Sequence, residues 1–216
     1  MSNELPRQEI HNKEAEWLIE AQKGETNAFT YLVELYQKPV YSLCYRMLGN
    51  AEDAEDAAQE TFMRAYKAIR RYDNKRPFST WLLSIAAHHC IDQIRRRRFP
   101  IISVEELPFP ELSEPSPGLE TILVSNEEKN RIRSLLNVLE PLDRATVVLY
   151  YWYEFSYQEI SELLSLSLSA VKSRLHRARR AMAENWIQIQ PKFEQLDFNS
   201  NKSGCNENFL MERITP

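Results

Sequence analysis

Residues 155–182 read FSYQEISELLSLSLSAVKSRLHRARRAM, and this stretch decides the fold class. Ser156-Tyr157-Gln158-Glu159 puts Ser at an N-cap and Glu three residues on, a capping box, so a helix starts there. Ile160, Leu163 and Leu164 form its apolar stripe, and Ser165-Leu166-Ser167 breaks the pattern. Ser167 offers a hydroxyl to cap a second helix, in which Val171, Leu175, Ala178 and Met182 fall at i, i+4, i+7 and i+11. Lys172, Arg174, His176, Arg177, Arg179 and Arg180 occupy the remaining surface, with no acidic residue from Leu168 to Ala183. A short capped helix followed by one with an apolar back and a cationic front is the helix-turn-helix layout, whose second helix can lie in a DNA major groove. The plainer alternative is a solvated basic face on a helical bundle; the paired capped helices favour DNA. Ser165 stands where many such turns carry Gly.

Working outward, the chain has 216 residues, 43% hydrophobic and 27% charged, the composition of an ordinary folded protein of one large or two small domains. Four glycines and little strand-like alternation predict an all-α chain. A net charge of −4 would suit a DNA binder poorly if it were uniform. It is segregated instead, with basic groups at Arg95 to Arg98 and in the last helix, and local fields decide phosphate contact. The amino terminus has no apolar core of a secretory signal, and no apolar run approaches the ~20 residues of a membrane span, so a cytoplasmic protein without membrane insertion is expected. Cys44, Cys90 and Cys205 are odd in number and far apart, which fits reduced thiols.

In chain order, residues 1–13 form a polar leader, expected to be mobile. Residues 14–23 predict a short helix with Trp17, Leu18 and Ala21 inward, stopped by Gly24. From Asn27 a longer pattern carries Phe29, Leu32, Val33, Tyr36, Val40, Leu43, Cys44 and Met47; Pro39 should kink or split it, and Gly49-Asn50 ends it. Residues 51–72 predict a helix with Ala54, Ala58, Thr61, Phe62, Ala65 and Ile69 inward and an acidic face of Asp53, Asp56 and Glu60. Those carboxylates could hold a metal, favour the helix N-terminus or dock a partner; no carboxylate or histidine motif on a second helix supports the metal. Residues 72–77 are a polar loop, with Ser79 a possible cap for the helix that follows and ends in Arg95 to Arg98. His88, His89 and Cys90 are adjacent on that helix, point about 100° apart and cannot converge on zinc. Residues 100–126 are a proline-rich acidic linker without Lys or Arg. Residues 127–186 resume helical spacing through Ile132, Leu135, Leu136 and Leu139, then Pro141 as a first helical residue, Leu142, Ala145, Leu149 and Trp152. Residues 187–216 lose periodicity, a tail expected to be disordered or partner-bound.

Two small helical domains, an extended acidic linker and a terminal helix-turn-helix together resemble the extracytoplasmic-function sigma factors, the minimal two-domain class of the sigma-70 family. The resemblance is carried by AEDAEDAAQETFMRAY, FSTWLLSIAAHHCIDQIRRRR and SYQEISELLSLSLSAVKSRLHRAR, and spans about residues 14–185. It implies a sigma-2-like domain over 14–99 and a sigma-4-like domain over 127–186. It implies that Asp53, Asp56, Gln59 and Glu60 dock on the clamp helices of the largest subunits of core RNA polymerase. Tyr72, Asn74, Lys75, Arg76, Trp81, His88, Arg95 and Arg96 match the part that melts and reads the −10 promoter element, where unstacked bases need aromatic and polar pockets beside cations. Family members often carry Asn where this chain has His88. The linker matches the segment that threads towards the polymerase active centre. Lys172, Ser173, His176 and Arg177 match positions facing the major groove at the −35 element, with Arg174, Arg179 and Arg180 as phosphate contacts. Promoter DNA, core polymerase and an anti-sigma protein are the implied partners; no cofactor, metal or catalysis is implied.

Two other readings fit part of the chain. A free-standing helix-turn-helix regulator accounts for residues 127–185 and leaves the first domain idle. A metal-dependent phosphodiester enzyme would use Asp53, Asp56 and Glu60 and leaves the basic helix unexplained.

Overall fold

The computed structural model describes residues 7–98 and 130–194. The expected linker 100–126, Cys205 and the far end of the tail lie outside the described residues. Every regular element among those described is a helix: α1 (Arg7–Lys23), α2 (Thr26–Leu48), α3 (Ala51–Ala68) with a 3-10 turn (Ile69–Arg71), α4 (Phe78–Arg98), α5 (residues 130–137), α6 (Pro141–Trp152), α7 (Tyr157–Leu163) and α8 (Leu168–Glu194). They fall into two compact units, one mainly amino-terminal and one mainly carboxy-terminal, the first taking in residues 161–165 and the second beginning at Ile91 within α4.

In the amino-terminal unit α2 is central and packs on both α1 and α3. It buries Phe29, Leu32, Val40, Leu43, Cys44 and Met47. Opposite, α3 buries Ala54, Ala57, Ala58, Thr61 and Ala65, a face of small residues over which two helix axes approach closely. The Thr61 hydroxyl, fully buried, donates to the Ala57 carbonyl at 2.7 Å and so leaves no unpaired polar group. Gly24 ends α1 with φ +106°: its N–H donates to the Ala21 carbonyl (3.0 Å) and that of Glu25 to Glu20 (3.1 Å), the paired bonds of a Schellman turn. Gly49 ends α2 at φ 86° with one bond to Tyr45.

Three expectations are corrected here. Helix α1 begins at Arg7, so part of the expected leader is helical. Pro39 does not split α2, which runs from Thr26 to Leu48 with Pro39 inside it: the buried residues on either side hold the helix against the lost backbone bond and the crowding of the preceding turn. Ser79 lies inside the first turn of α4, where the Trp81 N–H bonds to the Pro77 carbonyl at 3.2 Å, so it is not the cap. Cys44 and Cys90 are both buried free thiols. A hydrogen bond with Cys44, together with burial, pushes the Cys90 thiol well above its ordinary range, so it stays uncharged and inert.

In the carboxy-terminal unit, α6 starts with Pro141 at its first turn and packs on α8. It buries Ala145, Val147, Val148 and Leu149 almost completely, together with Leu135, Leu136 and Leu139 before it. Two turns use non-glycine residues in the left-handed region: Glu154 (φ 53°), after which the Phe155 N–H bonds back to Leu149, and Ser165 (φ 54°) between α7 and α8. That conformation crowds a Cβ against the backbone. Replacing Ser165 or Glu154 by Gly is therefore expected to raise stability by about 0.5–1 kcal/mol each, read as a higher urea midpoint at unchanged slope. A lower midpoint would mean that these side chains hold their turns by contacts that outweigh the strain.

Candidate nucleic-acid interface

The helix-turn-helix is built as its sequence dictates. The Ser156 N–H donates to Glu159 Oε2 at 2.8 Å and the Glu159 N–H returns to Ser156 Oγ at 3.3 Å, closing the capping box. Ser167 Oγ accepts from the Ala170 N–H at 3.2 Å and caps α8. Val171, Leu175, Ala178 and Met182 are all buried, which fixes the helix phase and turns Lys172, Ser173 and His176 to solvent. Helix α8 continues to Glu194, past the point where a tail was expected to begin.

The cations of α8 are not equivalent. Arg174 Nη1 lies 2.6 Å and Arg177 Nη2 3.2 Å from the same oxygen, Oδ1 of Asp143 on α6, a carboxylate that is itself buried. The Arg174 side chain is 23% exposed and that of Arg177 58%, so the first is committed inward and the second still reaches solvent. Arg179 Nε donates to the Tyr151 hydroxyl at 2.9 Å, and its guanidinium stands 5.8 Å from the ring centres of Tyr150 and Tyr151. Burial opposes its charge, yet hydrogen bonding to Tyr151 and the neighbouring tyrosines leave its basicity raised. Arg180 pairs with Glu184 at 2.9 Å on the surface. Arg174 and Arg179, expected as phosphate contacts, thus each spend at least one nitrogen on bonding α8 to α6. Asp143 escaped the sequence reading. Its signal was an acid in helical phase with the buried Val147, a position where a carboxylate needs a cation.

On α3, Asn50 caps the helix by accepting from the Asp53 N–H at 2.8 Å, and its amide donates to the Asp53 carboxylate. Glu60 pairs with Arg64 at 2.6 Å, a bond that holds its carboxyl below the usual range. Asp56 and Gln59 are exposed on the same helix. The acidic face therefore divides into two residues with local partners and two open to solvent. Among the described residues no three His, Cys, Asp or Glu side chains gather where a metal could bind, and no helix is long and apolar enough to cross a membrane.

The loop 72–77 rests on an aromatic floor. The Tyr72 ring centre lies 5.0 Å from Trp81 and 5.5 Å from Phe78, and its hydroxyl donates to the Arg76 carbonyl. Tyr72 is 7% exposed, and burial, with the nearby Glu14 and Asp73 charges, pushes its hydroxyl up to about 12. Its ring therefore supports the loop from beneath, and Trp81 is half-buried beside it. Asp73 shapes the tip, accepting from the Lys75 N–H at 3.0 Å through Oδ1. Asn74, Lys75 and Arg76 are exposed on it, as are His88, Arg95 and Arg96 along α4. His88 Nδ1 sits 2.7 Å from the Ser84 carbonyl, so Nδ1 carries the proton and Nε2 is left as the acceptor of the neutral ring. Gln22, on α1, had no sequence signal: its Nε2 donates to the carbonyls of Ile69 (3.3 Å) and Tyr72 (2.8 Å), and its Oε1 accepts from Asn74 Nδ2 (3.3 Å).

Comparison with known proteins places both units. Residues 32–99 match Sigma-70 region 2 and residues 129–182 match Sigma-70, region 4. Over 170 residues the chain is 38% identical to the ECF RNA polymerase sigma factor SigW of Bacillus subtilis (strain 168), covering 76% of this chain and 91% of that protein. Its fold is similar to that of CnrH, solved in complex with the cytosolic domain of CnrY (TM-score 0.61, 24% identity, 82% of this chain and 98% of that one). It is also similar to that of the sigma factor RpoE solved with the anti-sigma factor NepR from Bartonella quintana (TM-score 0.53, 20% identity, 72% of this chain and 94% of that one).

Proposed function

The chain belongs to the extracytoplasmic-function sigma factors of the sigma-70 family, and on that premise we propose how its residues divide the work of promoter recognition. The observation that carries the reading is one chain holding both a helix with exposed Asp56 and Gln59 and a capped helix-turn-helix with exposed Lys172, Ser173 and His176. Asp56 and Gln59, flanked by Asp53 and Glu60, dock on the clamp helices of core RNA polymerase. Asn74, Lys75 and Arg76, with His88 at a position often Asn in the family and Arg95 and Arg96 beyond it, hold the melted −10 strand. A single-stranded base finds amide and imidazole hydrogen-bonding groups there beside cations for the backbone. Lys172, Ser173, His176 and Arg177 face the −35 major groove, where a bidentate Arg discriminates guanine. The protein makes and breaks no bonds itself; polymerase does the chemistry. It acts in the cytoplasm, where core polymerase is, on a stress-induced set of promoters, and an anti-sigma protein holds it inactive.

The test is capture of core polymerase by wild type and by Asp56→Ala, followed by run-off transcription from genomic fragments. Wild type is expected to bind and to produce discrete new start sites, and Asp56→Ala to bind about tenfold or more weakly, as befits removal of a central interface charge. If wild type fails to bind core while a control sigma factor does, and instead binds a duplex site alone, the chain acts as a free-standing regulator.

A further inference from the structure

The segment matching Sigma-70 region 2 begins at residue 32, so α1 lies outside it. Yet α1 is bonded to the loop that faces the −10 element. Gln22 is the link. One amide group donates to two main-chain carbonyls that bracket the loop's start, Ile69 at 3.3 Å and Tyr72 at 2.8 Å, and accepts from the side chain of Asn74 at its tip, 3.3 Å away. The two carbonyls lie where the 3-10 turn ends and extended backbone begins (Tyr72 φ −66°, ψ 130°); the Ile69 carbonyl closes that turn by accepting from the Tyr72 N–H at 3.1 Å. Gln22 adds a second donor at Ile69 and a donor at Tyr72, past the end of the turn. A second tie runs from the same helix to the aromatic floor: the Tyr36 hydroxyl donates to Glu14 Oε1 at 2.7 Å, and the Tyr36 ring meets Phe78 edge-on at 5.4 Å. The floor under the loop and the tip of the loop are thus both bonded to α1.

The geometry points to Gln22 as a positioning residue for −10 recognition, acting through Asn74 and the loop backbone without touching DNA. This rests on the reading that the loop 72–77 captures a −10 base. A base-reading amide must hold its rotamer to discriminate, and a small displacement of a recognition group lowers selectivity far more than it lowers binding. Gln22 fixes Asn74 by occupying one of its two amide hydrogens, leaving the second hydrogen and the carbonyl oxygen to present to a base. The Gln22 interaction also settles which end of the Asn74 amide is which, since only the NH2 can donate to Gln22 Oε1.

The experiment is run-off transcription by reconstituted holoenzyme from a promoter set carrying each base in turn across the −10 element, with wild type, Asn74→Ala, Gln22→Met and Gln22→Glu. Methionine keeps the length of Gln22 and loses all three bonds; glutamate keeps the acceptor for Asn74 and sets a carboxylate against two carbonyl oxygens. Both Gln22 variants are expected to lower the preference for the best −10 base about five- to tenfold, as Asn74→Ala does, with core affinity unchanged and melting temperature lowered by only a few degrees. If Asn74→Ala lowers the preference and neither Gln22 variant does, Gln22 has no positioning role. If core affinity and melting temperature fall in parallel with the preference in both Gln22 variants, Gln22 serves folding alone and the inference is overturned. If Asn74→Ala changes nothing, the loop does not read the base, and the underlying reading falls first.

Discussion

Asp143→Ala is expected to weaken the proposed −35 recognition at least tenfold and to lower the stability of the carboxy-terminal unit by about 2–3 kcal/mol. The carboxylate is buried and its Oδ1 lies within hydrogen-bond distance of two guanidiniums on α8. Removing it leaves two cations side by side, one of them largely out of water, with nothing between them. The loss stays below the 3–5 kcal/mol typical of a fully buried pair because Arg177 is 58% exposed and water screens it. The consequence for DNA is geometric. Arg177 reaches solvent while one of its nitrogens is bound to Asp143, which restricts its rotamers before DNA arrives, so less side-chain entropy is lost on binding. Asp143→Asn, which keeps an acceptor without the charge, is expected to fall between the two. Denaturant melts and fluorescence anisotropy of holoenzyme on a promoter fragment measure both quantities; wild-type values in both would show that the pair is incidental.

Leu175→Ala is the second large effect. Leu175 is 1% exposed and sits within one turn of Lys172, Ser173 and His176, so the residue that seats the helix and those proposed to face DNA share one turn. Truncating a fully buried leucine costs about 2–5 kcal/mol in transfer and cavity terms. In a unit this small that is a large share of the total, and the near-ultraviolet circular dichroism of its tyrosines should fade at a lower temperature. Lys172→Ala is the control: the residue is exposed, so stability should change by less than about 0.5 kcal/mol while promoter affinity falls. Loss of affinity in both with loss of stability only in Leu175→Ala separates seating from contact. Equal stability in the two variants would mean that the stripe is not what holds α8.

The features legible in the sequence were those set by local chemistry. The capping box, the Ser167 cap, the glycine stops after α1 and α2 and the apolar stripe of α8 each depend on a few neighbouring residues, and each stands as its sequence predicts. Helix ends without such signals were misread. The start of α1 at Arg7 follows from a run of good helix formers and carries no apolar stripe. The extension of α8 past residue 186 to Glu194 continues a helix already formed, without an apolar stripe in the sequence to announce it. What no local pattern could disclose was the partner of each side chain. Six basic residues on one helix look alike in sequence. Only the placement of Asp143, and of Tyr150 and Tyr151, divides those that bind inward from those that remain for DNA. The burial of Tyr72 was hidden for the same reason: an aromatic in a polar loop gives no sign that Phe78 and Trp81 pack against it.

The shared carboxylate of Asp143 also changes how this protein meets salt. A cation that is already neutralised within the fold carries no place for a phosphate, and so it displaces no condensed counterions from the duplex when the complex forms. Counting the basic residues of α8 therefore overstates the electrolyte sensitivity of the −35 contact. Arg174 drops out of that count, whereas Arg179, whose partner is the uncharged Tyr151 hydroxyl, keeps its charge beside Lys172 and the exposed part of Arg177. Affinity at the proposed −35 contact should therefore fall less steeply with rising ionic strength than a count of every basic residue on α8 would give.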